Sequence, residues 1–211
     1  MSKYILLIGG GGHCNSVIDV IESEGIYSIM GILDSKEKIG QKILGHEIIG
    51  SDDDIEEFLK ICKNFHVTIG HIKNNNKRQF LFYKVKELGG NFPTIIASTA
   101  YVSKYSNIAE GTIVMHNVTI NSNVKIGVNC ILNTSSVIEH DSIIENHCHI
   151  STGAFINGEC RIGENSFIGS NATVIQSITI GKKNLIAAGS VVIKNTQANE
   201  TYVGNPARLL K

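Results

Sequence analysis

The amino-acid sequence predicts two fold classes in succession, an α/β domain followed by a parallel β-helix. An aliphatic residue stands at every sixth position from Val102 to Val192, sixteen times in a row. The residue two positions earlier is Ala, Ser, Thr, Cys or Val each time, apart from Ile178 and Asn184. Residues 1–95 lack this six-residue period and instead alternate strand-like with helix-like segments. We therefore place the boundary between two domains near residue 95, giving 1–95 and 96–211.

The six-residue period is typical of hexapeptide repeats. In an amphipathic helix, apolar residues recur every three or four positions, and in a half-buried strand they recur every two. Neither element alone explains a strict period of six residues. In a strand, residues i and i−2 face the same side, which puts one large and one small side chain inside each coil. Asn or Gly, which tolerate left-handed backbone, recur three residues after the aliphatic, as tight corners require: Gly111, Asn117, Asn123, Asn129, Gly153, Asn165, Asn171 and Gly189.

The first 95 residues read as strands alternating with helices, which indicates a parallel sheet. The predicted strands are 4–8, 29–33 and 66–70. A predicted helix follows a glycine run and ends at Gly25, and further helices are expected at 52–64 and 79–88.

The glycine run between the first strand and the first helix is a candidate phosphate-binding loop. It comprises Gly9 to Gly12 and is followed by His13. Bare amides at a helix N-terminus attract anions, and Asp34 stands about twenty residues later, where dinucleotide folds place a ribose-binding acid. The dinucleotide fingerprint is incomplete because Asn15 occupies its last glycine position. A mononucleotide or nucleotide sugar is therefore favoured over NAD; the alternative is that the glycines merely make a tight turn.

Composition excludes several classes of partner. The net charge is zero and the pI is about 7.1, which does not favour nucleic acid or anionic membranes. The early apolar run 4–8 is too short for a signal peptide or a membrane span, so we expect a cytoplasmic protein.

Three cysteines of the repeat are expected to have a packing role. They occupy inward positions and should fill the coil with free thiols: Cys130, Cys148 and Cys160.

His140 and Asp141 form the clearest catalytic pair in the repeat. A carboxylate beside an imidazole orients the ring and stabilises its charged form, which suits a general base. Gly158 follows His140 by eighteen residues, one coil of three hexads, so it should stack above the histidine. There it leaves room for a ligand and exposes an amide for an oxyanion.

His149 is predicted to point outward from a different side of the coil. Within one subunit it should not meet His140, but the two histidines are predicted to meet across the interface of a trimer packed about the solenoid axis. Metal binding is the rival use, since some hexapeptide solenoids bind zinc with three histidines. The pair His147 and His149 has no third partner of matching spacing.

Three segments together resemble hexapeptide acyltransferases: the opening of the repeat from Ile96 to Val102, the stretch from Ser136 to Asp141, and the stretch from Gly204 to Arg208. With the glycine-rich first half, the whole chain resembles the bacterial family of sialic acid O-acetyltransferases and UDP-4-amino-sugar N-acetyltransferases. The resemblance implies a homotrimer, a left-handed β-helix, a Rossmann-like nucleotide-sugar domain and active sites between subunits.

The same resemblance implies roles for individual residues. His140 matches the catalytic base, Asp141 its acidic neighbour (often Glu in the family), and Asn133 a catalytic asparagine. His149 matches a histidine that touches the acetyl group, and Gly158 the glycine whose amide faces the thioester oxygen. Coenzyme A would lie along Ala187, Ala188 and Gly189. The nucleotide part would meet the following set: Gly10, Gly11, Gly12, His13, Asp34, Ser35 and Lys36.

The function expected from these predictions is acetyl transfer from acetyl-CoA to the amine of a nucleotide-linked deoxy sugar, directly and without a metal. Three alternatives remain open. The acceptor can be the hydroxyl of a sialic or other nonulosonic acid; the chain can be a non-catalytic nucleotide-binding assembly protein; or it can be a metal-dependent lyase or hydratase.

Overall fold

A computed structural model of the chain describes residues 3–210. The N-terminal part is a five-stranded sheet with three helices. Its elements are β1 (Lys3–Ile8), α1 (Gly12–Glu24), β2 (Tyr27–Asp34), β3 (Lys42–Ile43), β4 (His46–Ser51), α2 (Ile55–Phe58), β5 (Phe65–Val67) and α3 (Asn76–Glu87), with a 3₁₀ turn at Lys36–Lys38. The strand order in the sheet is β3-β4-β2-β1-β5. Strands β1, β2, β4 and β5 pair in parallel.

Helix α1 starts at the last glycine of the run, Gly12, and turns its apolar side to the core. Val17, Ile18, Val20 and Ile21 are fully buried. Gly25 ends the helix with φ of 69°, and its amide donates to the Ile21 carbonyl at 3.1 Å. A left-handed glycine at this position is a common helix stop, because it lacks the Cβ that opposes this conformation.

Two details of the predicted first domain are wrong. The helix expected at 52–64 is only α2, because the amides of Lys60 and Ile61 bond to carbonyls three residues back instead of four, which interrupts the α-helical pattern. The sheet is also not wholly parallel, since β3 and β4 form an antiparallel hairpin. Leu44 and Gly45 make its turn with φ of 47° and 89°. Positive φ at both turn residues matches the twist of a hairpin.

The rest of the chain is a left-handed β-helix with three faces, and its strands are parallel apart from the last two, Thr201–Val203 and Arg208–Leu209, which pair antiparallel. The six-stranded face holds Tyr101–Val102, Thr119–Ile120, Val137–Ile138, Phe155–Ile156, Thr173–Val174 and Val191–Val192. The five-stranded face holds Asn107–Ile108, Lys125–Ile126, Ile143–Ile144, Arg161–Ile162 and Thr179–Ile180. The eight-stranded face holds Ile95–Ile96, Ile113–Val114, Ile131–Leu132, His149–Ile150, Phe167–Ile168, Leu185–Ile186, Thr201–Val203 and Arg208–Leu209.

Register and corners follow the sequence period. Strands eighteen residues apart pair in parallel, as Val137 with Phe155 and Ile138 with Ile156. The backbone is left-handed at every sixth residue from Gly111 to Gly189. Asp141 and His147 adopt this conformation as well, although neither is Gly or Asn. Cysteines 130, 148 and 160 are at most 1% exposed and fill the coil, which confirms their expected packing role.

The N-terminal domain docks on the eight-stranded face through helix α3. Arg78 of α3 is fully buried and donates to the carbonyls of Val67, Ile69 and Asn129, so it ties β5 and the segment after it to a corner of the β-helix. The Tyr83 hydroxyl contacts Nε2 of the buried His147 at 2.9 Å. These contacts fix the glycine loop relative to the coil.

Candidate active site

His140 and Asp141 form an ion pair at the corner between the six-stranded and five-stranded faces. The Nδ1 atom of His140 lies 2.8 Å from Oδ2 of Asp141. The other carboxylate oxygen, Oδ1, accepts a hydrogen bond from Nδ2 of Asn123 at 2.6 Å. Because Asp141 holds Nδ1, the imidazole presents Nε2 as its free nitrogen, which is the arrangement a general base needs.

The charges around this corner adjust both pKa values. The hydrogen bond to Asp141 raises the pKa of His140, and the negative charges of Glu139 and Glu159 add to the effect. The hydrogen bond from Asn123, followed by that with His140, lowers the pKa of Asp141. The carboxylate is thus kept ionised beside an imidazole that readily takes up a proton.

Gly158 lies one coil above His140, as the eighteen-residue spacing predicts. A Cβ built on Gly158 would lie 2.8 Å from both Cε1 and Nε2 of the imidazole. Any larger residue at 158 would therefore displace the ring.

Asn133 and His149 lie together at a second place, away from the His140 corner. Nδ2 of Asn133 is 3.4 Å from Nε2 of His149. Asn133 begins the corner between the eight-stranded and six-stranded faces, and the side chain of His149 points outward from the eight-stranded face. The N-terminal domain covers His149, whose Nδ1 contacts the His71 carbonyl at 2.8 Å. Burial lowers the pKa of His149 to about 4, so the ring is neutral near pH 7.

A cavity of about 480 Å³ opens beside this second group. Its lining residues come from both domains: His13, Ser16, Gly70, His71, Ile72, Asn133 and His149. Neither ring nitrogen of His71 has a hydrogen-bond partner within residues 3–210, and the same holds for Nε2 of His13. These nitrogens are buried polar atoms whose hydrogen-bonding capacity is not used by the described residues.

The glycine loop borders a cavity of about 440 Å³. It is lined by Gly9, Gly10, Gly11, Gly12, His13, Asp34, Asp52, Thr68, Ile69, Gly70 and Lys77. A Cβ built on Gly11 or Gly12 would meet nothing within 4 Å, so the loop is open to a ligand there. Lys77, which pairs with Asp52 at 2.9 Å, supplies a cation at this cavity.

Asp34 holds the glycine loop in place. Its carboxylate accepts hydrogen bonds from the amides of Gly10 and Ser35, each at 2.6 Å, and from Nζ of Lys38 at 3.0 Å. The Lys36 side chain is largely exposed and pairs with Asp53 at 2.9 Å. Neither Ser35 nor Lys36 is among the residues lining the cavity, so the structure brings Gly10 to His13 and Asp34 together there but not these two.

Ala187, Ala188 and Gly189 lie at the same kind of corner as Asn133, three coils further along. Between them the corner carries small residues, among them Gly153, Gly169 and Ser170. This corner of the β-helix therefore has few large side chains between Gly189 and Asn133.

Sequence reasoning missed several residues of these sites, among them His71, Asn123 and Lys77. Asn123 was assigned only a corner, although its spacing of eighteen residues from Asp141 already places the two side chains one above the other. Lys77 carries no local signal, because it reaches the glycine loop only through the packing of α3. Within the described part of the chain, no group of three or more His, Cys, Asp or Glu side chains is arranged to hold a metal ion. Nor is any helix in residues 3–210 long and apolar enough to span a membrane.

Two family models match the chain. Residues 4–85 match the PglD N-terminal domain, and residues 159–194 match the bacterial transferase hexapeptide repeat. The chain belongs to the hexapeptide-repeat acetyltransferase family.

Solved structures resemble the chain over its full length. PerB from Caulobacter crescentus, in complex with CoA and GDP-perosamine, is 30% identical, covers 98% of this chain and 97% of its own, and has a TM-score of 0.91. A point mutant of perosamine N-acetyltransferase from the same organism, with CoA and GDP-perosamine, is 29% identical with coverages of 98% and 96% and a TM-score of 0.92. The acetyltransferase domain of PglB from Neisseria gonorrhoeae, in complex with acetyl coenzyme A, is 28% identical with full coverage of both chains and a TM-score of 0.92.

A curated relative, the uncharacterized protein L142 of Acanthamoeba polyphaga mimivirus, is 35% identical over 116 residues. The chain spans about a fifth (21%) of the length of that relative.

Proposed function

We propose that the chain transfers an acetyl group from acetyl-CoA to the amino group of a nucleotide-linked amino-deoxy sugar. The observation that carries this proposal is that the glycine-loop cavity and the cavity beside Asn133 and His149 share His13 and Gly70. A nucleotide bound at the glycine loop can therefore extend its sugar to the β-helix. The similarity to perosamine N-acetyltransferase, which binds CoA and GDP-perosamine, supports this class of acceptor.

The N-terminal domain suits a diphosphate. Amides at the start of α1 and the positive end of its dipole attract anions, and the first turn of α1 has no acidic residue. Lys77 adds a cation at the cavity. The neighbouring Arg78 does not line the cavity, because it is fully buried and donates to backbone carbonyls. In this proposal Asp34 acts by holding the Gly10 amide rather than by binding ribose, because its oxygens already accept three hydrogen bonds.

His140 acts as the general base. Nε2 accepts the proton of the sugar amine as the amine nitrogen attacks the thioester carbonyl carbon. Asp141 stabilises the imidazolium that results, since it is held at 2.8 Å from Nδ1. Bringing a positioned base to this step contributes about 100-fold or more to the rate.

Gly158 stabilises the oxyanion of the tetrahedral intermediate through its amide, which lies one coil above His140. When the intermediate collapses, the carbon–sulfur bond breaks and the imidazolium returns its proton to the departing thiolate. No covalent acyl-enzyme is required. This agrees with the five cysteines, which are all buried and free, and with burial raising the pKa of Cys130 and Cys148.

The active site is proposed to form between subunits of a homotrimer. The outward residues of the six-stranded face are all uncharged, namely Tyr101, Thr119, Val137, Phe155, Thr173 and Val191. His140 lies at one edge of this face and Asn133 at the other. Packing this face against a neighbouring subunit about a threefold axis brings His140 of one copy towards Asn133 and His149 of the next. Such a trimer has the closed symmetry that homo-oligomers usually adopt.

Acetyl-CoA is proposed to follow the corner from Ala187, Ala188 and Gly189 towards Asn133. Its small residues let an extended chain lie close to the backbone. His149, held neutral by burial, contacts the acetyl group at the end of this path. These cosubstrates are available in the cytoplasm, where we propose that the enzyme acts.

Thiol release from acetyl-CoA with a panel of acceptors tests the proposal. The panel holds UDP- and GDP-linked 4-amino-4,6-dideoxy sugars beside free and CMP-activated nonulosonic acids. We expect turnover of a nucleotide-linked amino sugar. Turnover of the nonulosonic acids alone would instead assign the chain to O-acetylation, and absence of acetyl-CoA binding would contradict both.

A further inference from the structure

Two carboxylates flank His140 in the sequence, and each is held by an asparagine one coil below. Nδ2 of Asn121 donates to Oε2 of Glu139 at 2.7 Å. Nδ2 of Asn123 donates to Oδ1 of Asp141 at 2.6 Å. Of the two carboxylates, Asp141 is the one that contacts the His140 ring. The corner therefore carries two parallel Asn–carboxylate pairs, one of which leads to the base.

We propose that Asn123 is a positioning residue for acetyl transfer, acting on His140 through Asp141. Its amide fixes Oδ1 of Asp141, which turns Oδ2 towards Nδ1 of His140. The Nδ1 proton is thereby held, and Nε2 is left free beside Gly158. The proposal rests on the proposed function, in which His140 Nε2 takes the proton of the acceptor amine.

Asp141 needs this second contact because the pair is open to water. The side chains of His140 and Asp141 are 49% and 46% exposed. An exposed ion pair of this kind contributes little stability, so alone it holds its geometry only part of the time. A hydrogen bond to the second oxygen removes the rotation that would separate the pair, and the backbone restrains Asp141 further, with φ of 61° and its amide bound to the Ser122 carbonyl.

A purely structural role is the alternative for Asn123. The same corner carries a third such pair higher on the coil, where the Ser177 hydroxyl donates to Oε2 of Glu159 at 2.8 Å and no histidine is involved. If such pairs only stabilise the coil, loss of Asn121 and loss of Asn123 should have equal effects. A role in catalysis predicts that only loss of Asn123 alters the base.

The chain offers a matched pair of variants. Asn123→Gly removes the amide but keeps the left-handed backbone, φ 59°, that an alanine would resist. Asn121→Ala removes the neighbouring amide, which holds Glu139 and does not contact Asp141. Both variants are measured as the full-length protein with acetyl-CoA and the acceptor that the wild type uses.

We expect Asn123→Gly to lower kcat about tenfold, within the range found when an outer hydrogen-bond partner is lost, with both KM values within about twofold. The acidic limb of the kcat/KM profile should move to lower pH, because Asp141, which raises the pKa of His140, is no longer held against the ring. Asn121→Ala should keep the kcat and the pH profile of the wild type. Equal behaviour of the two variants would overturn the proposal while leaving the proposed function intact.

Nuclear magnetic resonance of ¹³C-labelled histidine gives a readout that does not depend on turnover. The His140 signal is assigned by its loss in His140→Gln and titrated in the wild type and both variants. A lower pKa of His140 in Asn123→Gly alone supports the proposal, and an unchanged pKa overturns it. Were the wild type to acetylate no acceptor, the proposed function would fail, and this titration would still decide whether Asn123 controls the Asp141–His140 pair.

Discussion

Gly158 and His140 are so close that a single added carbon would bring them into collision. A Cβ on Gly158 would lie 2.8 Å from Nε2 of the imidazole, the nitrogen that faces away from Asp141. Absence of a side chain at 158 is therefore what allows the base to hold its place beneath the next coil.

Gly158→Ala should lower kcat about tenfold or more by pushing the ring away from the reacting amine. The φ of Gly158 is outside the left-handed region, so the backbone itself tolerates alanine. Steady-state kinetics and the melting temperature separate the two effects. Full turnover in a folded Gly158→Ala protein would show that the imidazole does not act from this position.

His140→Gln should lower kcat by about 100-fold or more, because it removes the base. Since the side chain is half-exposed, the melting temperature should stay close to that of the wild type. Near-full turnover would refute the assignment of the base.

Asp141→Asn should shift the pH dependence as well as the rate. A base acts when neutral, so activity rises with pH through the pKa of His140, which Asp141 raises. Without the carboxylate the rise should occur at lower pH, with a smaller maximum. An acidic limb that stays in place in the kcat/KM profile would contradict the role of Asp141.

Lys77→Ala should weaken the binding of UDP or GDP about fivefold, which corresponds to about 1 kcal/mol. Lys77 lines the glycine-loop cavity, whereas Lys60, an exposed lysine of the same domain, does not, so Lys60→Ala is the control. Isothermal titration calorimetry compares the two. Equal affinities would place the diphosphate elsewhere.

The folded protein should lose stability in acid between about pH 6.5 and pH 4. Burial lowers the pKa of His13 to about 3 and of His147 and His149 to about 4, and that of His66 falls well below its usual value. Below the ordinary histidine pKa of about 6.5, these histidines take up protons in the unfolded chain but stay neutral in the folded one. Their contribution to the free energy of unfolding is therefore complete above about pH 6.5 and is lost as the pH falls.

Urea unfolding at pH 7.5 and pH 5 measures this loss. His66→Leu, which removes one fully buried ring in the core, should make the difference between the two midpoints smaller. An equal midpoint at both pH values in the wild type would contradict the prediction.

The β-helix could be predicted from sequence because its packing is local and periodic. A coil filled by one large and one small residue leaves the same six-residue signature wherever it occurs, and the spacing of eighteen that stacks Gly158 on His140 follows from it. The hairpin of β3 and β4 escaped prediction because Leu44 is an unusual turn residue at φ of 47°.

Contacts between the two domains could not be predicted in the same way. The burial of His149 depends on His71, which is 78 residues distant in sequence, and the buried Arg78 finds its carbonyl partners on two elements. No period in the sequence encodes such docking. The prediction that Asn133 is a catalytic asparagine rested on resemblance, and in a single chain Asn133 lies beside His149 and away from His140.

A subunit-mixing experiment tests the central claim, that the transfer site combines His140 of one subunit with Asn133 and His149 of another. One chain carries His140→Gln and the other carries both Asn133→Ala and His149→Gln; each alone should be nearly inactive. Refolded together in equal amounts, random trimers should recover about a quarter of wild-type activity, since each mixed trimer has one intact site. Absence of recovery, with mixed trimers confirmed by native mass spectrometry, would contradict a site shared between subunits.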